Sequence, residues 1–196
     1  MTILVSMLLN AETVAVADKR RAVGGHGSPT TDDTARKVIA DPSDEIAIAL
    51  VGTLRLESSG SPETVLQSWL PDLAQLEPGR RAKRLCEMLG DAAKATGQGE
   101  QAVVTLYDRS AQGTVVQITV RCYEGTAAEA TATEVKLVEG EPLVMGACSS
   151  WAELAPGREV PKSVGEIRDA IRAYALKHEN GTVSGEVNQI VLRPTA

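Results

Sequence analysis

Thr2-Ile3-Leu4-Val5-Ser6-Met7-Leu8-Leu9, then Asn10-Ala11-Glu12, then Thr13-Val14-Ala15-Val16-Ala17-Asp18 is the stretch whose reading decides the fold. Ile3 to Leu9 and Thr13 to Ala17 are apolar, strand-length runs, and the three residues between them are a hairpin-sized gap. The first nine residues are as apolar as the middle of a signal peptide. They lack a basic segment in front and run on into a patterned strand, so they read as part of the fold.

Outward from this hairpin, residues 24–34 are a loop rich in Gly, Ser, Pro, Thr and Asp. Lys37 to Ala40 is a short strand, Asp41-Pro42-Ser43-Asp44 a turn, and Ile46 to Val51 a strand ended by Gly52. Ser61-Pro62-Glu63 is an N-cap followed by proline at the first helical position, and Val65, Leu66, Trp69 and Leu73 recur at helical spacing; Pro71 is expected to break or kink this helix. A second helix runs from Pro78-Gly79 to about Ala95, with Leu85, Met88, Leu89 and Ala92 on one face and Arg80, Arg81, Lys83 and Arg84 on a solvated one. From Ala102 the period becomes two, predicting strands near 102–107, 114–122, 133–138 and 143–148. The capping box Ser163-x-x-Glu166 opens a helix at about 164–178, and Val187 to Leu192 is the last strand. The order of elements predicts one α+β domain over residues 1–196, with sheets packed on each other and helices outside.

Composition narrows the function. The chain has 196 residues, of which 43% are hydrophobic and 23% charged, with only 3% aromatic and no Phe, so its core is built from Val, Leu, Ile and Ala. A net charge of −6, with no basic stripe interleaved with aromatics, argues against nucleic-acid binding. No apolar run reaches the roughly 20 residues that span a bilayer. Cys86, Cys122 and Cys148 form no CxxC pair, which points to a reducing, cytoplasmic setting. Two histidines, His26 and His178, are too few for most metal sites, and no cofactor or metal is expected.

Familiar catalytic motifs are absent, and the start of the chain is the exception. A small residue after the initiator Met favours its removal, which leaves Thr2 with a free α-amine. Such an amine has a pKa of about 7.7–8.0, so it can serve as a base beside its own hydroxyl. Taken singly, Asp18 could simply close the hairpin, Lys37 a solvated strand end, and Gly52 a strand terminator.

Taken in order, Thr2-Ile3-Leu4-Val5-Ser6, Val14 to Arg20, Arg36-Lys37-Val38 and Ile46 to Gly52 resemble the proteasome β-subunit and HslV family of N-terminal-nucleophile hydrolases. Gly146-Ala147-Cys148-Ser149-Ser150-Trp151-Ala152 resembles that family's Gly-Ser-Gly-Ser-x-Tyr-Ala segment, and Val183-Ser184-Gly185-Glu186-Val187 its Ser-Gly-Gly turn. With a compact length and no long segment before Thr2, the resemblance is nearest to the bacterial proteasome homologues, the Anbu group and the beta-proteobacterial proteasome homologue.

This resemblance implies a four-layer αββα sandwich of two antiparallel sheets flanked by helices. It also implies a threonine peptidase in which Thr2 Oγ is the nucleophile and the Thr2 amine the proton acceptor. Lys37 would be the cation beside them and Asp18 its partner. The Gly52 N–H would serve the oxyanion, with Ser149 and Ser184 completing the hydrogen bonds around the amine. Arg21, Ala35, Leu50 and Leu54 fall on the substrate-pocket positions and imply an apolar pocket with a basic rim. The family's acid, three residues before the second serine, falls on Gly181, with Glu179 and Asn180 as its polar neighbours. Cys148 replaces a glycine of the first serine segment, and burial in the core is its expected place. Subunits are implied to stack as homo-oligomeric rings of six or seven around a chamber that admits peptides or unfolded protein. Two other readings stay open: a catalytically silent ring scaffold, and an amidase acting on small acyl amides.

Overall fold

The computed structural model of the chain describes residues 2–23, 30–32, 35–54, 56, 61–96, 101–121, 129–178 and 183–194, with the backbone alone at 21–23, 30–32 and 94–96. β1 (Ile3–Leu9) and β2 (Glu12–Asp18) form the hairpin read from the sequence, with Leu9 opposite Glu12. Its two turn residues, Asn10 and Ala11, both take positive φ, 49° and 64°. That is the two-residue turn whose twist matches the strands it joins. β10 (Leu143–Gly146) flanks β1 and β11 (Val187–Leu192) flanks β2, giving an antiparallel sheet in the order β10-β1-β2-β11.

The second sheet is a five-stranded antiparallel ribbon in the order β5 (Val38–Ala40), β6 (Ile46–Gly52), β7 (Gln101–Asp108), β8 (Thr114–Arg121) and β9 (Glu129–Lys136). A small pair, β3 (Arg21–Val23) and β4 (Thr30–Asp32), stands apart from both sheets. The helices are α1 (Pro62–Ala74), α2 (Pro78–Thr96), the single turn α3 (Trp151–Leu154) and α4 (Val164–Lys177).

Three apolar clusters show why these elements stack. Ile3, Val5, Met7, Val14 and Val16 pack with Trp151, Leu154, Ile167 and Ile171 of α3 and α4. Leu4, Ala15 and Ala17 meet Ala47, Ala49, Val51, Tyr107 and Val115 between the sheets. On the far side, Ile48, Leu50, Val104, Leu106 and Ile118 pack under Leu66, Leu70, Leu85 and Leu89 of α1 and α2. Both faces of β1 are therefore buried, which is why its sequence is a continuous apolar run rather than an alternation. Small residues at Ala15, Ala17, Ala47 and Ala49 line the inter-sheet layer. The architecture is α+β, two antiparallel sheets flanked by helices, as the sequence implied.

The structure differs from the sequence reading, or adds to it, at four places. Pro71 sits inside α1 without ending it. Pro71 and Gln67, the residue whose carbonyl loses its partner, are both exposed, so the cost of the missing hydrogen bond is that of a solvated rather than a buried carbonyl. Arg81 is not on a solvated face but 6% exposed. Its guanidinium donates to the carbonyls of Leu76 and Ala74 at the end of α1 and pairs with Asp108 at 3.0 Å. β9 starts at Glu129, four residues before the run read from the sequence. Its Ala and Thr residues lie on an exposed strand, so no hydrophobic alternation marks them. α3, β3 and β4 had no legible signal, being three or four residues each.

One polar contact crosses the apolar layer between the sheets. Ser6 Oγ and Tyr107 Oη lie 2.6 Å apart, both residues fully buried, and burial pushes the Tyr107 phenol well above its ordinary range. Replacing Tyr107 by Phe leaves Ser6 without that partner, and the expected loss is about 1–3 kcal/mol in urea unfolding. The double variant Ser6→Ala, Tyr107→Phe should be more stable than the sum of the single losses predicts.

Candidate active site

The end of β2 carries a carboxylate with no solvent exposure. Asp18 Oδ1 accepts the Ile3 N–H at 2.7 Å, and Oδ2 accepts the N–H groups of Arg20 at 3.1 Å and Ser184 at 3.3 Å. Lys37 Nζ donates to both oxygens at 3.1 Å. Lys37 is itself 4% exposed, so this is a buried ion pair. Such a pair persists only when further hydrogen bonds satisfy the charges, and Asp18 has three from the backbone. In this way one side chain gathers the start of β1, the end of β2, the residue before β5 and the turn before β11.

Thr2 lies one peptide bond from this knot and is 6% exposed. Its carbonyl accepts the Ala147 N–H at 2.7 Å, while the nitrogen of the same peptide unit, that of Ile3, is on Asp18. The Thr2–Ile3 peptide is thus held at both polar ends. Lys37 is placed by its neighbour strand: its carbonyl accepts the Leu50 N–H at 2.9 Å, which registers β5 on β6 two residues before Gly52.

Gly52 is exposed, at φ +98°, and a β-carbon there would come 2.6 Å from the Gln101 carbonyl oxygen. A glycine is required by the close approach of β7, where Gly52 pairs with Ala102 at the end of β6. Ser184 is 3% exposed and reaches the knot through its N–H to Asp18, while its hydroxyl accepts the Glu186 N–H at 3.0 Å.

Ser149 is engaged elsewhere. Its N–H and hydroxyl both meet the Glu153 carboxylate, at 2.8 Å and 3.0–3.1 Å, next to the cap that Ser150 makes on α3. These hydrogen bonds hold the Glu153 carboxyl below the usual range. Ala147, not Ser149, is the residue of that segment bonded to Thr2, through its backbone. Cys148 is buried in the cluster under α3 and α4, in the core as expected, and burial pushes its thiol up.

Of the pocket positions, Leu50 and Leu54 are 5% and 3% exposed and pack with α1 and α2, and Ala35 is 6% exposed. The Arg21 side chain, Glu179, Asn180, Gly181, Cys122 and His26 lie outside the described residues. A groove of about 760 Å³ opens between β5 and β11, lined among others by Lys19, Arg36, Gln67 and Asn188; neither Thr2 nor Ala35, Leu50 or Leu54 lines it. Among the described residues, no three or more His, Cys, Asp and Glu side chains converge as a metal site would require, and no helix is long and apolar enough to cross a membrane.

Sequence reading found Thr2, Asp18, Lys37 and Ser184, which the structure brings together. It missed the part played by Gly146 and Ala147. A glycine closing a strand opposite the start of β1 was the available signal, but only the paired register Ile3 with Gly146 makes it meaningful.

No sequence-family model matches the chain, and no curated protein matches it. Solved structures do. One, Anbu (ancestral beta-subunit) from Yersinia bercovieri, superposes with a TM-score of 0.55 at 12% identity, covering 97% of this chain and 81% of that one. The likeness is one of fold. Anbu from Hyphomicrobium sp. strain MC1 gives 0.51 at 13% identity over 97% and 82% of the two chains. Its Gly-1 mutant gives 0.52 at 14% over 98% and 82%. The sandwich built above is therefore proteasome-like in architecture over nearly the whole chain.

The Asp18 knot makes a direct prediction. Asp18→Asn keeps the shape but removes the carboxylate charge that faces the buried Lys37 ammonium, and guanidinium unfolding should show a loss of about 3–5 kcal/mol. A loss under 1 kcal/mol would mean that water already reaches the pair.

Proposed function

We propose that the chain is a threonine peptidase of the N-terminal-nucleophile type. The observation that carries this reading is the buried knot in which Asp18 holds both Lys37 Nζ and the peptide nitrogen that follows Thr2. A fixed cation beside the first strand residue is what a threonine needs if it is to work without histidine.

After removal of Met1, Thr2 Oγ attacks the carbonyl carbon of a peptide bond, and its proton passes to the Thr2 amine, directly or through a water. Lys37 stabilises the negative charge that develops, and Asp18 keeps Lys37 oriented. The tetrahedral oxyanion is received by the Gly52 N–H, a type of contact that contributes about 3–4 kcal/mol in other hydrolases. The amine leaves with the proton held by the α-amino group, an ester to Thr2 remains, and water releases it. Ser184 supports the hydrogen bonds around the amine, and Arg21 and Ala35 border the substrate pocket, while Leu50 and Leu54 back it from the core under α1 and α2. Subunits stack as rings in the cytoplasm, and unfolded chains or peptides reach the site from the enclosed chamber.

A second reading, a silent subunit of the same fold, is favoured by Ser149, whose hydroxyl goes to Glu153. Intact-mass measurement separates the two. The peptidase should lack Met1 and gain one adduct with an epoxyketone or β-lactone, whereas the scaffold would retain its mass unchanged. Turnover of fluorogenic peptides should vanish in Thr2→Ala and fall at least 100-fold in Lys37→Ala. Ser149→Ala should slow the reaction only, because Glu153 already holds that hydroxyl. Full activity in Thr2→Ala would sink the nucleophile assignment, and turnover of small acyl amides alone would make the enzyme an amidase.

A further inference from the structure

Gly146 ends β10 opposite Ile3 and has φ +105°. A β-carbon built on it would lie 1.8 Å from the Thr2 carbonyl oxygen and 2.8 Å from the Thr2 carbonyl carbon. Neither neighbour is a flexible side-chain end. The carbonyl is fixed by the Ala147 N–H at 2.7 Å and the following nitrogen by Asp18 at 2.7 Å, so the Thr2–Ile3 peptide has nowhere to retreat. The third neighbour, Val51 Cγ1 at 3.5 Å, belongs to the strand that ends at Gly52. The empty side of Gly146 is therefore the space in which the peptide carrying Thr2 sits.

We propose that Gly146 is a positioning residue for Thr2. Its missing side chain lets β1 begin flush against β10, and the adjacent Ala147 N–H then pins the Thr2 carbonyl. Together they fix where Thr2 stands relative to Lys37 and Gly52. This rests on the reading of Thr2 as nucleophile given above, and goes beyond it in assigning a steric task to a residue that bears no reactive group. Any side chain at 146 moves the Thr2 peptide by a good part of an ångström, and a misplacement of about 1 Å costs a positioned reaction on the order of 100-fold.

The test compares three forms of the full-length protein. Gly146→Ala should still assemble and melt cooperatively, with kcat on a fluorogenic peptide down about 100-fold, KM within about twofold, and β-lactone labelling of Thr2 slowed in proportion. Gly140→Ala is the control, since Gly140 also has positive φ, +79°, but nothing lies within 4 Å of its added β-carbon. It should retain full kcat, which separates the clash from general backbone strain. Unchanged kcat in a folded Gly146→Ala protein overturns the proposal and leaves the peptidase reading intact.

If Gly146→Ala does not fold, amide hydrogen exchange on the wild-type protein decides instead. The Ala147 and Ile3 amides should exchange as slowly as those of Leu4 to Met7, because each is donated within the core. Fast exchange at Ala147 beside a protected β1 would overturn the clamp. A wild-type protein that neither turns over peptide nor labels at Thr2 overturns the peptidase reading, and with it the positioning role. That outcome is told apart from failure of the clamp by this same exchange measurement.

Discussion

A carboxylate without solvent exposure is held at the end of β2 by three backbone N–H groups and a lysine that is itself buried. Taking two such charges out of water costs several kcal/mol each, and their attraction offsets this only when the geometry is closed on all sides. The closure comes from segments far apart in sequence: residue 3, residue 20, residue 37 and residue 184 each supply one donor. Consequently the site and the meeting of the two sheets depend on the same contacts. Loosening the pair releases the start of β1, the entry to β5 and the turn before β11 together.

The sandwich explains how such a polar knot is tolerated. With no Phe, the layer between the sheets is filled by Ala15, Ala17, Ala47, Ala49 and a few larger aliphatics, which lets two flat faces pack closely. On the outer faces, Leu66, Leu70 and Leu85 or Ile167 and Ile171 bring the helices down. Hydrophobic burial thus supplies most of the driving force away from the charges. The buried charges of Asp18 and Lys37 sit at one end of β1, and the Ser6–Tyr107 contact lies further along it. The Thr2 end of β1 lies where β1, β2 and β10 come to their common border, at the edge of the core rather than in its middle.

The two helices under the second sheet illustrate how reading by pattern fails. Arg81 falls among basic neighbours on α2 and carries no apolar signal, yet its fork fits the last carbonyls of α1 and the Asp108 carboxylate. Satisfying a neighbouring helix end outweighed solvation of the charge, and that neighbour is known only once the helices are packed. Pro71 is the opposite case, a strong local breaker that the surface simply accommodates because the orphaned carbonyl faces water.

By itself, the amino-acid order determined the hairpin at the start, the capped helices α1 and α4, the last strand and the α+β order. Each is written in a local period, a cap or a turn. It also placed Thr2, Asp18 and Lys37 as candidates, through the ordered resemblance of their segments to the proteasome β-subunit and HslV family rather than through any local pattern. Tertiary structure alone decided which of them meet. Asp18 accepts from residue 184 as well as residue 3, and Ser149 turns away to Glu153, because strand register and helix capping, not spacing along the chain, fix where a donor points. Gly146 shows the limit most clearly: a residue without a side chain leaves no chemical signature in sequence. What marks it is the closeness of the Thr2 carbonyl to the place a β-carbon would occupy, a distance that only the folded chain sets.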